Sequence, residues 1–175
     1  LGDDRLTILV IGGGFGVGPI EAIVKIIDSI SRPIQIIAIC GHNEELVKRL
    51  EALKPKFKDK MVIFGFVNNV YEYMEIADLL ISKSGGITVS ESLAKELPMV
   101  VIAPIIGQET RNSSFIVRHG AAIKVDKIED LRDALEKLTA HPERLVNMRG
   151  EIQKIKKPAA CYDVAKLAVE TAGVK

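Results

Sequence analysis

Six short apolar runs recur along this chain and constrain its fold more than any other feature: LTILVIG, IQIIAIC, MVIFGF, DLLIS, PMVVIAP and AAIKV. They are rich in Ile and Val and do not alternate with polar residues, the pattern of strands covered on both faces. Helix-like segments with one apolar face lie between them. Asn43 is placed to cap one whose exposed side offers the pairs Glu44–Lys48 and Glu45–Arg49. Asp126 and Glu129 resemble a capping box ahead of another, with Ile128, Leu131, Leu135 and Leu138 as its core face. Pro158 interrupts the chain, and a last helix carries Val164, Leu167, Ala168 and Ala172 at helical spacing, ending near Gly173. Strands alternating with helices across short joints make a parallel sheet with right-handed crossovers. The sequence therefore predicts one doubly wound, Rossmann-like α/β domain over residues 1–175, of about six strands.

Composition removes several classes. Of 175 residues, 24 are Lys or Arg and 23 Asp or Glu, so no global field draws nucleic acid or an anionic membrane. The basic stretches KPKFKDK and QKIKKP read as solvated surface, with a membrane-facing patch as the alternative. Cys40 and Cys161 are too few for a disulfide scaffold or zinc site, and three histidines form no cluster with them, so no resident metal is expected. A reduced, cytoplasmic setting is the default. The longest apolar run, LPMVVIAPIIG, is broken by proline and too short to span a bilayer. The start LGDDRLTILV has neither a signal-peptide pattern nor an initiator methionine, which suggests a piece of a longer protein.

In doubly wound folds ligands sit where strands exit into loops. The first exit, Gly12–Pro19 (GGGFGVGP), lets backbone N–H groups approach an anion at a helix N-terminus; it also fits a tight packing turn. It is not a P-loop, because Pro19 and Ile20 stand where Lys and Ser or Thr are needed. It is a poor dinucleotide fingerprint too: Gly12, Gly14 and Gly18 give GxGxxxG, and Cys40-Gly41-His42-Asn43 brings no acid to an adenosine ribose.

A second exit reads ISKSGGITVSESLAKELPMVV. Val89, Leu93 and Leu97 make a helix core face, leaving Thr88 and Glu91 on another. Ser84, the amides near Gly85 and Gly86, and Thr88 can hold a phosphate, while Glu91 can accept from both hydroxyls of a ribose. Glu91 equally fits an acid placed at a helix start for the dipole alone. The third exit, IIGQETRNSS, crowds Gln108, Glu109 and Asn112 at one junction. Such groups suit the uncharged hydroxyls of a hexose, and also an ordinary helix cap.

GGGFGVGP, ICGHN, FGFVNNVYEYMEIADLLISKSGGITVSESLAKELPMV and GQETRN together resemble the C-terminal, donor-binding half of the glycosyltransferases of family 28, over nearly the whole chain. KSGGITVSE followed by GQExxN is similar to the glycolipid branch, the processive diacylglycerol glucosyltransferases and monogalactosyldiacylglycerol synthases, more than to the peptidoglycan branch. The resemblance implies the C-terminal half of a two-domain GT-B enzyme that uses a UDP-sugar, inverts the anomeric centre and needs no bound metal. It places uracil against Phe66 and Val67, read largely by main-chain groups, the ribose on Glu91, and the diphosphate between Gly14, Phe15 and Gly16 on one side and Ser84, Gly85, Gly86 and Thr88 on the other. Gln108 and Glu109 would contact the hexose, with Asn112 supporting them.

It also places the general base and the lipid-acceptor groove in an N-terminal domain this chain lacks, so the chain alone would catalyse little transfer. The parent would lie on the cytoplasmic membrane face without a transmembrane segment. His42 can approach the ligand but also fits a plain surface turn, and His119 and His141 fall at helix ends without a role. Other readings are the N-acetylglucosaminyltransferase half of the peptidoglycan type, a non-catalytic UDP-sugar-binding subunit with a separate acceptor-binding partner, and, disfavoured by the missing acid, a nicotinamide-binding domain.

Overall fold

The structure, a computed structural model, describes residues 2, 5–58, 60–102 and 108–173. Six parallel strands form one sheet: β1 (Leu6–Ile11), β2 (Ile34–Ile39), β3 (Lys60–Phe64), β4 (Leu79–Ser82), β5 (Met99–Ile102) and β6 (Ala122–Val125). Their order is β3-β2-β1-β4-β5-β6. The expected strands are all present. The helices are α1 (Ile20–Asp28), α2 (Glu44–Leu53), α3 (Val70–Glu75), α4 (Gly86–Ala94), α5 (Gln108–Arg118), α6 (Leu131–Ala140), α7 (Glu143–Ile155) and α8 (Ala160–Thr171).

Alternation along the strands explains why apolar runs do not alternate in polarity. In β1, Ile8 and Val10 face a core shared with Ile23, Val24 and Ile27 of α1 and Leu131, Leu135 and Leu138 of α6. Leu9 and Ile11 face the opposite core, with Met74 of α3, Val89 of α4, Ile116 of α5 and Ile152 of α7. Each fully buried aliphatic side chain contributes roughly 1.5–3 kcal/mol, so a strand covered on both faces spends every position on the core.

Chain order runs outward from β1 to β3 in one direction and from β4 to β6 in the other. The reversal falls between β1 and β4, and in sheets of this kind ligands bind at that place, beyond the carboxyl ends of the strands. Their register pairs Ile11 with Ser82, so the two exits begin level with each other. At the opposite end of this pair, the Asp78 carboxylate accepts from the Thr7 N–H (2.9 Å) and from Arg149 of α7 (3.1 Å).

Asn43 caps α2 as expected, its Oδ1 accepting from the Leu46 N–H at 2.9 Å, and Arg49 pairs with Glu45 at 3.1 Å. Glu44 and Lys48 make no ion pair among the described residues; both line a cavity instead. The capping pair expected at Asp126 and Glu129 does not form. A short 3-10 turn, Ile128–Asp130, comes first and moves the helix start to Leu131, while Asp126 pairs with Lys124 at 2.5 Å. The chain breaks around Pro158 as anticipated. Beyond it, no residue of α8 is buried.

Candidate functional site

The loop after β1 divides its amides between holding itself together and leaving them open. Gly13 and Gly16 adopt φ of 70° and 60°. The Gly16 N–H donates to the Gly13 carbonyl (3.0 Å) and the Val17 N–H to the Gly12 carbonyl (2.8 Å). The N–H groups of Gly14 and Phe15 have no partner among the described residues, and the Phe15 side chain is 80% exposed. This corrects the expectation for Gly16. Its amide is used within the turn, and its α-carbon packs so closely on the Cys40 carbonyl that no side chain fits; Asn43 Nδ2 donates to its carbonyl at 3.3 Å. Gly16 builds the loop, and Gly14 and Phe15 present it.

The exit of β4 is built differently. Gly85 is the N-cap of α4 and supplies no side-chain cap. The first helical turn closes with the Val89 N–H on the Gly85 carbonyl at 2.9 Å, leaving the N–H groups of Gly86, Ile87 and Thr88 unpartnered among the described residues. Three open amides and the positive end of the helix dipole therefore lie together at the β4 exit. Ser84 does not add its hydroxyl to them: it is fully buried and donates to the Glu109 carbonyl at 2.7 Å. Asn112 Nδ2 donates to the Ser84 carbonyl at 2.9 Å. These two bonds lash the β4 exit to α5, so Asn112 acts here as a brace for the loop. Thr88 has a half-buried hydroxyl with no bond among the described residues.

Glu91 lies one turn into α4, half-buried and in no ion pair among the described residues. Desolvation by burial raises its pKa above the ordinary value of 4.5. A half-buried carboxylate with no ion pair among the described residues can accept hydrogen bonds from donors, and a vicinal diol supplies two.

At the β3 exit, Phe66 is 58% exposed, whereas Val67 packs into the core shared with α3 and α4 and can offer a ligand its main chain. Phe66 stacks on His42, ring centroids 4.2 Å apart and planes 12° from parallel. Sequence reasoning gave His42 no firm role; the only signal was its position directly after Gly41 at a strand exit. At the β5 exit, residues 103–107 lie outside the described residues, as does the side chain of Gln108. Glu109 is half-buried at the start of α5. His119 packs on Phe115 and His141 meets Glu143, both on the helical periphery. Among the described residues no group of His, Cys, Asp and Glu is placed as a metal-ligand set.

Open amides at adjacent strand exits of a Rossmann-like sheet, with an acid beside them, make up the candidate site of this α/β domain. Comparison with known proteins narrows the class. The family model described as glycosyltransferase family 28 C-terminal domain matches residues 7–163. The chain belongs to that family. It is 32% identical over 169 residues to the processive diacylglycerol beta-glucosyltransferase of Staphylococcus carnosus, covering 95% of this chain and 42% of the relative. The chain thus spans about two fifths of the length of the curated relatives it matches. Its fold is shared with MurG of Acinetobacter baumannii (TM-score 0.82, 23% identity, 95% of this chain and 50% of that one). It is shared also with HepE of Anabaena, solved in complex with UDP-glucose (TM-score 0.70, 12% identity, 97% and 48%).

Proposed function

We propose that this chain is the UDP-sugar-binding part of a glycosyltransferase that moves a hexose, glucose or galactose, to a diacylglycerol-type lipid. The observation that carries this reading is the uncapped start of α4, with its three open amides, beside the unpaired, half-buried carboxylate of Glu91. Amides of that kind take a diphosphate, and the carboxylate takes the ribose diol. The names of the glycolipid-making relatives support the lipid acceptor, and the UDP-glucose held by the HepE neighbour supports the donor.

Chemistry on such a donor is a charge problem. When the bond between the sugar and the diphosphate breaks, its electron pair stays on the phosphate oxygen. The open N–H groups of Gly14 and Phe15 and of Gly86, Ile87 and Thr88 stabilise that developing charge without reorganising. The acceptor hydroxyl attacks from the face opposite the leaving group and inverts the anomeric centre, losing its proton to a base. That base belongs to the remainder of the longer enzyme, so this chain binds donor and transfers little by itself, and the enzyme works at the membrane surface through its other part. Among the described residues no helix is long and apolar enough to cross a membrane.

The test is titration of the chain with UDP-glucose, UDP-galactose and UDP-N-acetylglucosamine, together with an assay of glycolipid formation. Binding of a UDP-hexose with negligible turnover is expected. Preference for UDP-N-acetylglucosamine points instead to peptidoglycan-type transfer, and robust turnover by the chain alone contradicts the placement of the base.

A further inference from the structure

His42 and Phe66 come from different strand exits, β2 and β3, and meet as a nearly parallel pair at 4.2 Å. Each ring has one face covered by the other, and both side chains remain exposed. They line a cavity of about 410 Å³ with Val47, Glu44 and Lys48 of α2. That volume is in the range of small-molecule sites. Glu44 and Lys48 make no ion pair among the described residues, so an acceptor and a donor are left at the rim of an aromatic surface.

The backbone under His42 is fixed to the β1 loop. Its N–H donates to the Gly14 carbonyl at 2.9 Å, one residue from the open amide of Phe15. Gly41, at φ 58°, packs against the carbonyls of Gly13 and Gly14 too closely for any side chain. The aromatic surface and the open amides of the β1 loop are therefore parts of one unit, set at a constant separation.

We propose that His42 is a base-positioning residue: with Phe66 it forms a platform on which the planar base of a nucleoside diphosphate stacks, held in register with the diphosphate loop by its own backbone. This rests on the donor reading above and extends it to a side chain that reading does not require. Stacking on an aromatic face suits any planar base, so the platform contributes affinity and position, while edge contacts select the base.

The experiment is calorimetric titration of wild type, His42→Ala, His42→Phe and Phe66→Ala with UDP and with inorganic pyrophosphate, after thermal melts have shown that each variant folds. His42→Ala and Phe66→Ala are each expected to weaken UDP by about tenfold, the scale of one lost base stack. Their pyrophosphate affinity should stay within about twofold of wild type, and His42→Phe should recover most of the UDP affinity. The proposal is overturned if His42→Ala binds UDP as wild type does, or loses UDP and pyrophosphate alike, which would mean it only shapes the loop. It is equally overturned if His42→Ala binds UDP more tightly, which would make the imidazole an occupant of the base site. A folded wild type that takes up no UDP removes the donor reading itself and this proposal with it, an outcome distinct from the other three.

Discussion

The Ser82 hydroxyl donates to the Ile11 carbonyl at 3.0 Å, a buried bond between the last residues of β4 and β1. These are the two strands flanking the reversal of strand order, and their exits carry the open amides of Gly14 and Phe15 and of Gly86, Ile87 and Thr88. The bond fixes the height of one exit against the other. Two segments of open amides held in register can share one diphosphate between them.

Gly14 and Gly16 separate the building of that site from its use. A methyl group on Gly14 meets no atom within 4 Å, and the residue is not in the left-handed region. On Gly16, at φ 60°, it runs into the Cys40 carbonyl. Gly16→Ala should lose at least about 1–3 kcal/mol of stability in a denaturant titration, the scale of a strained backbone position. Gly14→Ala should melt like wild type and yet bind UDP about tenfold more weakly, because its methyl group enters the space a diphosphate needs against the open amides. Equal stability losses in the two variants would mean the loop is not arranged as described.

Glu91 makes stability depend on pH with an unusual sign. Its folded-state pKa is raised above 4.5 by burial, so the folded chain keeps that proton longer than the unfolded chain. Below pH 4.5 the group is protonated in both states and costs nothing; as pH rises from 4.5 through the raised value the folded state loses stability, and the loss is complete above it. Glu91→Gln should therefore have a higher Tm than wild type at pH 7, with the difference vanishing toward pH 4. Melting curves across this range check it. A variant less stable than wild type at pH 7 would show that the carboxylate is paired in solution.

Helix α8 should behave as an appendage. None of its residues is buried, and Val164 and Leu167 are 65% and 62% exposed. A 12-residue helix without tertiary packing is marginal in water. Its amides should exchange with deuterated solvent far faster than those of α6, where Leu131, Leu135 and Leu138 are fully buried. Matching protection in the two helices would mean that α8 is covered in solution.

Much of this arrangement can be read from the residues because burial on both faces writes itself into composition. Ile34–Ile39 has no exposed position, and its run of Ile says so directly. Asn43 is legible for a similar reason, since a cap acts on a backbone group three residues away. What escapes sequence reasoning depends on partners distant in the chain. The spacing of Asp126 and Glu129 is right for a capping box, but a 3-10 turn takes those residues out of register. Ser84 looks available to a phosphate until the backbone carbonyl of Glu109, 25 residues later, accepts its hydrogen bond. The pairing of His42 with Phe66 joins two strand exits, and no local pattern announces it.

The central claim, that open amides at two strand exits hold a diphosphate while Glu91 holds its ribose, is tested most directly by calorimetry of UDP on the wild-type chain and on Glu91→Ala. Loss of the ribose contact should weaken UDP by about 1.5–3 kcal/mol, the scale of hydrogen bonds to a charged group, with pyrophosphate affinity unchanged. Equal UDP affinity in the two proteins would contradict the account.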